Sequence, residues 1–182
     1  TKQSSPVQIM KIRKAVITAA GKNQRTLPLQ TLVDRDGSPK TALAIIIEEA
    51  LQAGVAEIAV VIAPGDEAAY QAAAGLHAKR VRFVPQSAPQ GYGHAVFCAR
   101  QFVGEEPFVL LVGDHLYVSR EAKCCAQQLV AVDSPRDFAE RQPLFPSDAR
   151  IARKRLVLVD QVHRLDASSF QRVRSVDDPI LQ

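Results

Sequence analysis

Three short polar stretches, each placed after an apolar run, carry the residue types that could do chemistry in this chain. In the first, Gly21 to Arg25, successive backbone N–H groups and a guanidinium are available to hold phosphate oxygens. An ordinary strand-to-loop turn with a solvated arginine is equally compatible, because glycine loops are weak motifs. The stretch has a single glycine, so it is neither a Walker A sequence nor the GxGxxG fingerprint of dinucleotide-binding proteins.

The second stretch runs from Gln90 to Ala95 and reads Gln-Gly-Tyr-Gly-His-Ala. Its glycines, Gly91 and Gly93, flank one residue ahead of a predicted helix, which would let the backbone approach a flat base or a phosphate closely. His94 is compatible with a capping or packing role as well as with a chemical one. As a catalytic base it would need a partner that the sequence does not show.

The third stretch places Asp114 directly after an apolar run at 107–112. A carboxylate in this position is where α/β enzymes hold Mg²⁺, an ion that keeps several waters and bridges substrate phosphates. A lone aspartate that caps a helix or forms a turn fits the same pattern. His115 and Tyr117 are neighbours that face either a pocket or solvent.

The periodicity of the chain predicts elements that would bring these stretches together. Apolar runs predict strands at 13–18, 56–63, 81–85 and 107–112. Helical spacing predicts helices that begin at about Pro39 with Ser38 as N-cap, at 66–74, at 94–102 and at 119–131. This alternation predicts an α/β fold, an open and mostly parallel sheet with helices on both faces. The loops 19–38, 85–93 and 113–118 would then share the carboxyl edge of the sheet, where ligands bind.

Composition limits the class of protein. The 182 residues favour one domain with a substantial core, and 47% apolar with 23% charged residues is ordinary for a globular protein. A net charge of +4 fits an anionic substrate but is too small to indicate nucleic acid. No apolar run is long enough to span a membrane, and residues 1–6 do not resemble a signal peptide. We therefore expect no nucleic-acid or membrane partner.

The cysteines, and a change in amino-acid composition at about residue 133, lead to two further expectations. Cys98, Cys124 and Cys125 form no CxxC pair, so reduced thiols in the cytoplasm are expected rather than a zinc site. Residues 12–132 are expected to form the α/β core. Residues 133–182 are rich in proline and charge and are expected to be irregular, with a strand at 156–159 and a short helix near 168–173.

The motifs together resemble those of the sugar-phosphate nucleotidyltransferase family, and in particular of the bacterial UTP–glucose-1-phosphate uridylyltransferases. The resemblance is carried by Ala19-Ala20-Gly21 with Arg25-Thr26-Leu27-Pro28, by Gln86 with Gly91-Tyr92-Gly93-His94-Ala95-Val96, and by Gly113-Asp114. It covers about residues 12–120 and implies a Rossmann-like sheet of the glycosyltransferase-A type. The implied reaction is attack of a sugar-1-phosphate oxygen on the α-phosphorus of UTP, which releases pyrophosphate.

The resemblance also implies roles for individual residues. Ala19, Ala20 and Gly21 would line the nucleotide, and Arg25 would bind the triphosphate as the catalytic cation. Gln86 and Gly91 would read the uracil edge, with Gly93 in the same nucleotide-binding loop. Asp114 would be one of two aspartates that hold Mg²⁺.

The sequence departs from the family pattern at several points. Asn23 stands where a second loop glycine is usual, although asparagine tolerates left-handed backbone angles better than most residues. The usual loop lysine has only Lys40 as a counterpart, and Asp160 is the candidate for a second metal aspartate. The family's Glu-Lys-Pro sugar-binding segment does not occur in this sequence.

Two alternatives to a uridylyltransferase therefore stay open at this point. One is a nucleotide-binding module or pseudoenzyme of the same family. The other is a dinucleotide-dependent oxidoreductase, which the missing GxGxxG motif disfavours. The sequence leaves open the sugar, the choice between uracil and thymine, and whether the chain forms a homo-oligomer.

Overall fold

A sheet of five strands forms the centre of the fold in the computed structural model, which describes residues 12–22, 25–34, 36–88 and 90–131 and the backbone of 157–159. The strands in these ranges are β1 (Lys14–Thr18), β2 (Thr31–Val33), β3 (Pro39–Thr41), β4 (Glu57–Ile62), β5 (Val81–Pro85), β6 (Phe108–Val112) and β7 (Val157–Val159). The helices are α1 (Ala42–Gln52), α2 (Glu67–Ala74), α3 (Tyr92–Cys98), α4 (Arg100–Val103) and α5 (Cys125–Val130). Residues 27–29 and 75–80 form 3₁₀ turns.

The order of the strands is β5-β4-β1-β6-β7, with β2 and β3 pairing separately as a hairpin. β1 lies between β4 and β6 and is parallel to both, so that Ile17 stands beside Val60 on one side and Leu111 on the other. β7 runs antiparallel to β6, with Val159 beside Phe108. The predicted α/β architecture with a mostly parallel sheet is confirmed.

Helices cover both faces of the sheet, which explains why the three central residues of β1 and all of β6 are apolar. Ile17 and Val60 point to the face covered by α1 and α2. Val16 and Val61, one residue away on the same strands, point to the face covered by α3 and α4. Alternate side chains of a strand thus build two separate cores.

The predicted helix start at Pro39, with Ser38 as its N-cap, is wrong. Pro39 opens β3, which pairs with β2, and helix α1 begins three residues later. Ser38 instead donates from its backbone N–H to Asp36 Oδ1 at 2.8 Å, which closes the hairpin turn. Thr41 is the actual cap, because its Oγ1 accepts a hydrogen bond from Ala44 N at 3.0 Å.

Two other helices begin at different residues from those predicted. Helix α3 starts at Tyr92 rather than at about residue 94, so Gly93 lies inside its first turn. Helix α5 starts at Cys125 rather than at residue 119, because Cys124 and Gln127 form a reciprocal capping box there.

The prediction of a strand near 156–159 is confirmed by β7, which joins the central sheet. The helix predicted at 168–173 and Asp160 lie outside the described residues, as does Asn23. The division into parts at residues 132 and 133 stays a prediction.

Candidate functional site

The three predicted loops leave the same edge of the sheet, because the strands that precede them are parallel. Each loop continues the hydrogen-bond ladder by one residue. Ala19 N donates to Val61 O at 2.7 Å, Gln86 N donates to Ile62 O at 2.9 Å, and Gly113 N donates to Thr18 O at 2.8 Å. The first residues of all three loops are therefore fixed by the sheet itself.

Gly113 allows the loops after β1 and β6 to lie against each other. A Cβ atom at this position would be 3.0 Å from Ala19 Cβ and 3.1 Å from Thr18 O, which is closer than such atoms normally approach. A side chain at position 113 would therefore require the Ala19 loop or the Asp114 loop to shift by a few tenths of an ångström.

Substitution of Gly113 by alanine is expected to destabilise the protein by about 1–3 kcal/mol, the usual cost of overpacking. Urea unfolding of the variant would measure the change. The double variant Gly113→Ala with Ala19→Gly should recover part of the loss, because it removes one of the two close contacts. An unchanged midpoint for Gly113→Ala would contradict the close approach.

Tyr70 of α2 anchors the first loop, and sequence reasoning did not identify it. Its side chain is fully buried, and its hydroxyl lies 3.0 Å from Ala19 O and 2.6 Å from Arg25 O. Burial raises the pKa of Tyr70, so the phenol stays a donor. The sequence does carry a signal, since Tyr70 is the single large side chain in the otherwise alanine-rich helix α2.

The loop that Tyr70 holds is exposed at its described residues Gly21, Lys22 and Arg25. Arg25 N donates to Gly21 O at 2.9 Å, which brings these two residues close together. Gly21 and Lys22 are exposed, while Ala19 and Ala20 are buried on opposite faces of the sheet. The outer side of this turn is where backbone N–H groups and Arg25 would meet phosphate.

The Arg25 guanidinium lies 3.5 Å from the Asp66 carboxylate, at the N-terminus of α2. Its side chain is 47% exposed, and ion pairs of this kind contribute about 0–1 kcal/mol. Because this pair is weak, a phosphate group could take the place of Asp66 at the guanidinium. Asp66 was not singled out from the sequence.

The side chain of Gln86 connects the beginning of the second loop to its end by hydrogen bonds. Its buried side-chain Nε2 lies 3.1 Å from Gly91 O and 3.0 Å from His94 Nδ1. Gly91 has φ of 92° at the N-cap of α3, a conformation that strains any residue with a Cβ. The structure therefore brings Gln86, Gly91 and His94 together, with Gly93 in the helical turn between the last two.

The surroundings of His94 favour a positioning role over catalysis. Among the described residues, its ring contacts the Gln86 amide, the Cys98 thiol at 3.8 Å and the ring of Phe97, rather than a carboxylate. Burial raises the pKa of Cys98, so its sulfur stays a thiol. The partner that a catalytic base would need is not present in these contacts.

Asp114 lies at the end of β6 with its side chain 18% exposed. Its Oδ1 is 2.6 Å from His115 Nδ1. Tyr117 closes the end of the strand, because its hydroxyl accepts a hydrogen bond from Val112 N at 2.8 Å. Burial raises the pKa of Tyr117, which keeps that hydroxyl neutral.

The side chains near Asp114 suit a magnesium site that is completed by waters and substrate phosphates better than one built from protein ligands alone. No group of three or more His, Cys, Asp or Glu side chains in the described part of the chain could hold a metal ion by itself. Mg²⁺, however, is commonly bound by one or two carboxylates together with waters and substrate phosphates. The Asp114 carboxylate suits this second arrangement, in which the nucleotide supplies most of the oxygens.

Lys40, the only counterpart found for the family's loop lysine, is held by acidic side chains. Its Nζ lies 2.7 Å from Asp34, 2.9 Å from Glu48 and 3.3 Å from Asp36. The hydrogen bond that Lys40 donates to Asp34 is the main reason that the pKa of Lys40 is raised. Lys40 therefore serves the hairpin and helix α1 in this structure.

A separate cleft lies beside this cluster. It is lined by Asp34, Ile45, Glu48, Glu49, Gln52, Tyr117, Ser119 and Cys124. Its carboxylates would repel a triphosphate, and none of the site residues predicted from sequence is part of its lining.

In the described ranges no helix is both long and apolar enough to cross a bilayer.

Comparison with known proteins shows the family to which this chain is related. The sequence signature of the MobA-like NTP transferase domain matches residues 15–173, most of the chain. The UTP–glucose-1-phosphate uridylyltransferase of Bacillus subtilis strain 168 is 33% identical over 132 residues, which are 58% of this chain and 45% of that protein. The enzyme of the same name from Streptococcus pyogenes is 33% identical over 147 residues, 66% of this chain and 48% of that protein. The chain thus spans about half the length of these relatives.

Solved structures show the same fold. The UTP-bound UGPase of Acinetobacter baumannii aligns with a TM-score of 0.51 and 25% identity, covering 66% of this chain and 52% of that one. An apo UDP-glucose pyrophosphorylase aligns with a TM-score of 0.53 and 21% identity, covering 65% and 53% of the two chains. With the UDP-glucose pyrophosphorylase fold and a domain signature along most of its length, this chain belongs to the MobA-like NTP transferase family.

Proposed function

We propose that this protein transfers a uridylyl group from UTP to a sugar-1-phosphate, with glucose-1-phosphate as the first candidate, and releases pyrophosphate. The observation that carries the proposal is the common edge from which the loops of Ala19, Gln86 and Gly113 leave the sheet. Relatives named as UTP–glucose-1-phosphate uridylyltransferases support the choice of substrates.

In this proposal the turn from Gly21 to Arg25 binds the triphosphate. Its described residues Gly21, Lys22 and Arg25 are exposed, and Tyr70 anchors the loop at Ala19 and Arg25. The Arg25 guanidinium can pair with phosphate oxygens in bidentate fashion once it leaves Asp66. Arg25 thus neutralises charge that grows on the leaving pyrophosphate.

Gln86 and Gly91 bind the base, because Gln86 follows the end of β5 and its side chain is hydrogen-bonded to Gly91 at the start of α3. Helix α3, which follows Gly91, packs across β4 and β1. A base at Gly91 would therefore lie on the α3 side of the sheet, and phosphates at Arg25 would lie on the α2 side. The segment that passes between these positions is Ala19-Ala20, which we propose lines the nucleotide.

Asp114 would hold Mg²⁺ together with phosphate oxygens of UTP, and the ion would neutralise charge at the reacting phosphate. His115 keeps the Asp114 carboxylate oriented through its Nδ1. A sugar-1-phosphate oxygen attacks the α-phosphorus while the bond to the leaving pyrophosphate breaks. The protein contributes position and charge without a covalent intermediate.

The direct test measures pyrophosphate released from UTP and glucose-1-phosphate in the presence of MgCl₂. Release that depends on both substrates, together with formation of UDP-glucose, is the expected result. Galactose-1-phosphate, and dTTP in place of UTP, would define the sugar and base preference in the same assay. UTP binding without product from any pair would exclude the transferase function.

A non-catalytic nucleotide-binding module is the second candidate, since Lys40, the counterpart of the family's loop lysine, is already paired with Asp34 and Glu48. In that case UTP would raise the unfolding temperature without turnover. A UTP concentration of 100 times Kd would raise the free energy of unfolding by about 2.7 kcal/mol. The oxidoreductase alternative is not retained, because the family assignment points to nucleotide transfer.

A further inference from the structure

We infer that His94, together with the Gly91 carbonyl, fixes the orientation of the Gln86 side-chain amide and so makes the site select bases that carry an N–H on their Watson–Crick edge. The inference rests on the proposed function, because it assumes that a nucleotide base meets Gln86. It gives His94 a positioning role that acts through Gln86.

The chemistry of the contacts determines which end of the amide is nitrogen. The Gly91 carbonyl can only accept a hydrogen bond, so the amide atom 3.1 Å away from it must be the donor, Nε2. The second Nε2 hydrogen points to His94 Nδ1 at 3.0 Å. With both donors used, a flip of the amide would place Oε1 against a carbonyl oxygen and an imidazole lone pair.

The remaining polar atom of the side chain is Oε1. All hydrogen bonds of this side chain within the described residues use Nε2. Oε1 is also not among the fully buried atoms that lack a partner, so it keeps access to solvent. Although Gln86 is 6% exposed as a whole, it presents an acceptor outwards.

An outward acceptor discriminates between pyrimidines. Uracil and thymine carry N3–H, which can donate to Oε1, whereas N3 of cytosine is itself an acceptor and would be repelled. When a base cannot form a hydrogen bond with a buried polar group of the site, that group loses its partner and the base binds more weakly. The acceptor therefore favours UTP or dTTP over CTP.

His94 is held so that Nδ1 can accept. It lies in the first turn of α3, three residues after Gly91, and its ring contacts Cys98 one turn later and Phe97. To accept from Gln86, the ring must be neutral and carry its proton on Nε2. Without an acceptor at position 94, the second hydrogen of the amide loses its partner, and only the Gly91 carbonyl still favours this orientation.

The test compares His94→Asn with His94→Leu in the full chain. Asparagine and leucine have nearly the same shape, but only asparagine offers an acceptor. Isothermal titration with UTP and with CTP, both with MgCl₂ and without sugar phosphate, gives the ratio of the two Kd values. His94→Leu should reduce the preference for UTP by about tenfold, the size expected when one hydrogen bond is misplaced, and His94→Asn should retain most of it.

Cys98→Ala is the matched control, because it removes a contact of the ring but leaves Nδ1 in place. Its UTP-to-CTP ratio should equal that of the wild type. An unchanged ratio in a folded His94→Leu variant that still binds UTP would overturn the role of His94 and leave the proposed function standing. A wild-type chain that binds neither nucleotide would instead overturn the proposed function, and the inference with it.

If His94→Leu does not fold, ¹⁵N NMR of the wild type tests instead whether His94 Nδ1 accepts from the Gln86 amide. A His94 Nδ1 without a proton, together with Gln86 amide protons that exchange slowly, is the expected signature. A proton on Nδ1, with or without a second proton on Nε2, would overturn the inference, because such a ring cannot accept from the amide at Nδ1.

Discussion

Replacement of Asp114 by asparagine is expected to lower the rate of the proposed uridylyl transfer by at least about 100-fold, because a metal ion held there would supply several kcal/mol of charge stabilisation at the reacting phosphate. Asparagine keeps the shape of the side chain and can still accept from His115, so the fold should be retained. Initial rates of pyrophosphate release across a series of MgCl₂ concentrations would measure the loss. EDTA should abolish the activity of the wild type.

Glu106→Gln is the matched control for this experiment. It makes the same change from carboxylate to amide, but Glu106 pairs with Lys14 at 2.6 Å at the opposite, amino edge of the sheet. Its rate should equal that of the wild type. Full activity in Asp114→Asn, at low as well as at saturating MgCl₂, would show that Asp114 does not hold the metal.

Truncation of Tyr70 to alanine is expected to destabilise the protein by about 3–5 kcal/mol, the usual cost of deleting a buried aromatic ring. Tyr70→Phe should cost about 1–2 kcal/mol, because it keeps the ring but leaves the carbonyls of Ala19 and Arg25 without this donor. Urea unfolding of both variants would separate the contribution of packing from that of the hydroxyl.

Tyr70→Phe should also weaken UTP binding, because the turn that would meet phosphate is no longer tied to helix α2 at both of its ends. Phe108→Ala is the control for general loss of stability. Phe108 is also fully buried but lies at the amino end of β6. That variant should lose stability and keep its UTP affinity. Wild-type stability and affinity in Tyr70→Phe would show that these hydrogen bonds do not position the loop.

Much of the framework could be predicted because apolar periodicity reports burial directly. The strands at β1, β4, β5 and β6 and the edge shared by their loops follow from that pattern and from the rules for parallel connections. The start of α1 could not be predicted in the same way, because Ser38 and Thr41 are both good caps. The choice between them depends on pairing of Pro39–Thr41 with β2, a contact that local sequence does not contain.

The sequence by itself determined which loops carry polar chemistry, the residue types in them, and the resemblance to nucleotidyltransferases that the family assignment supports. Only the tertiary structure showed what holds those residues in place. Tyr70 lies 51 positions from Ala19 and 45 from Arg25, yet its hydroxyl reaches both carbonyls. The reason is physical: local pattern encodes burial and turns, whereas hydrogen bonds between distant residues exist only after α2 has packed on the sheet.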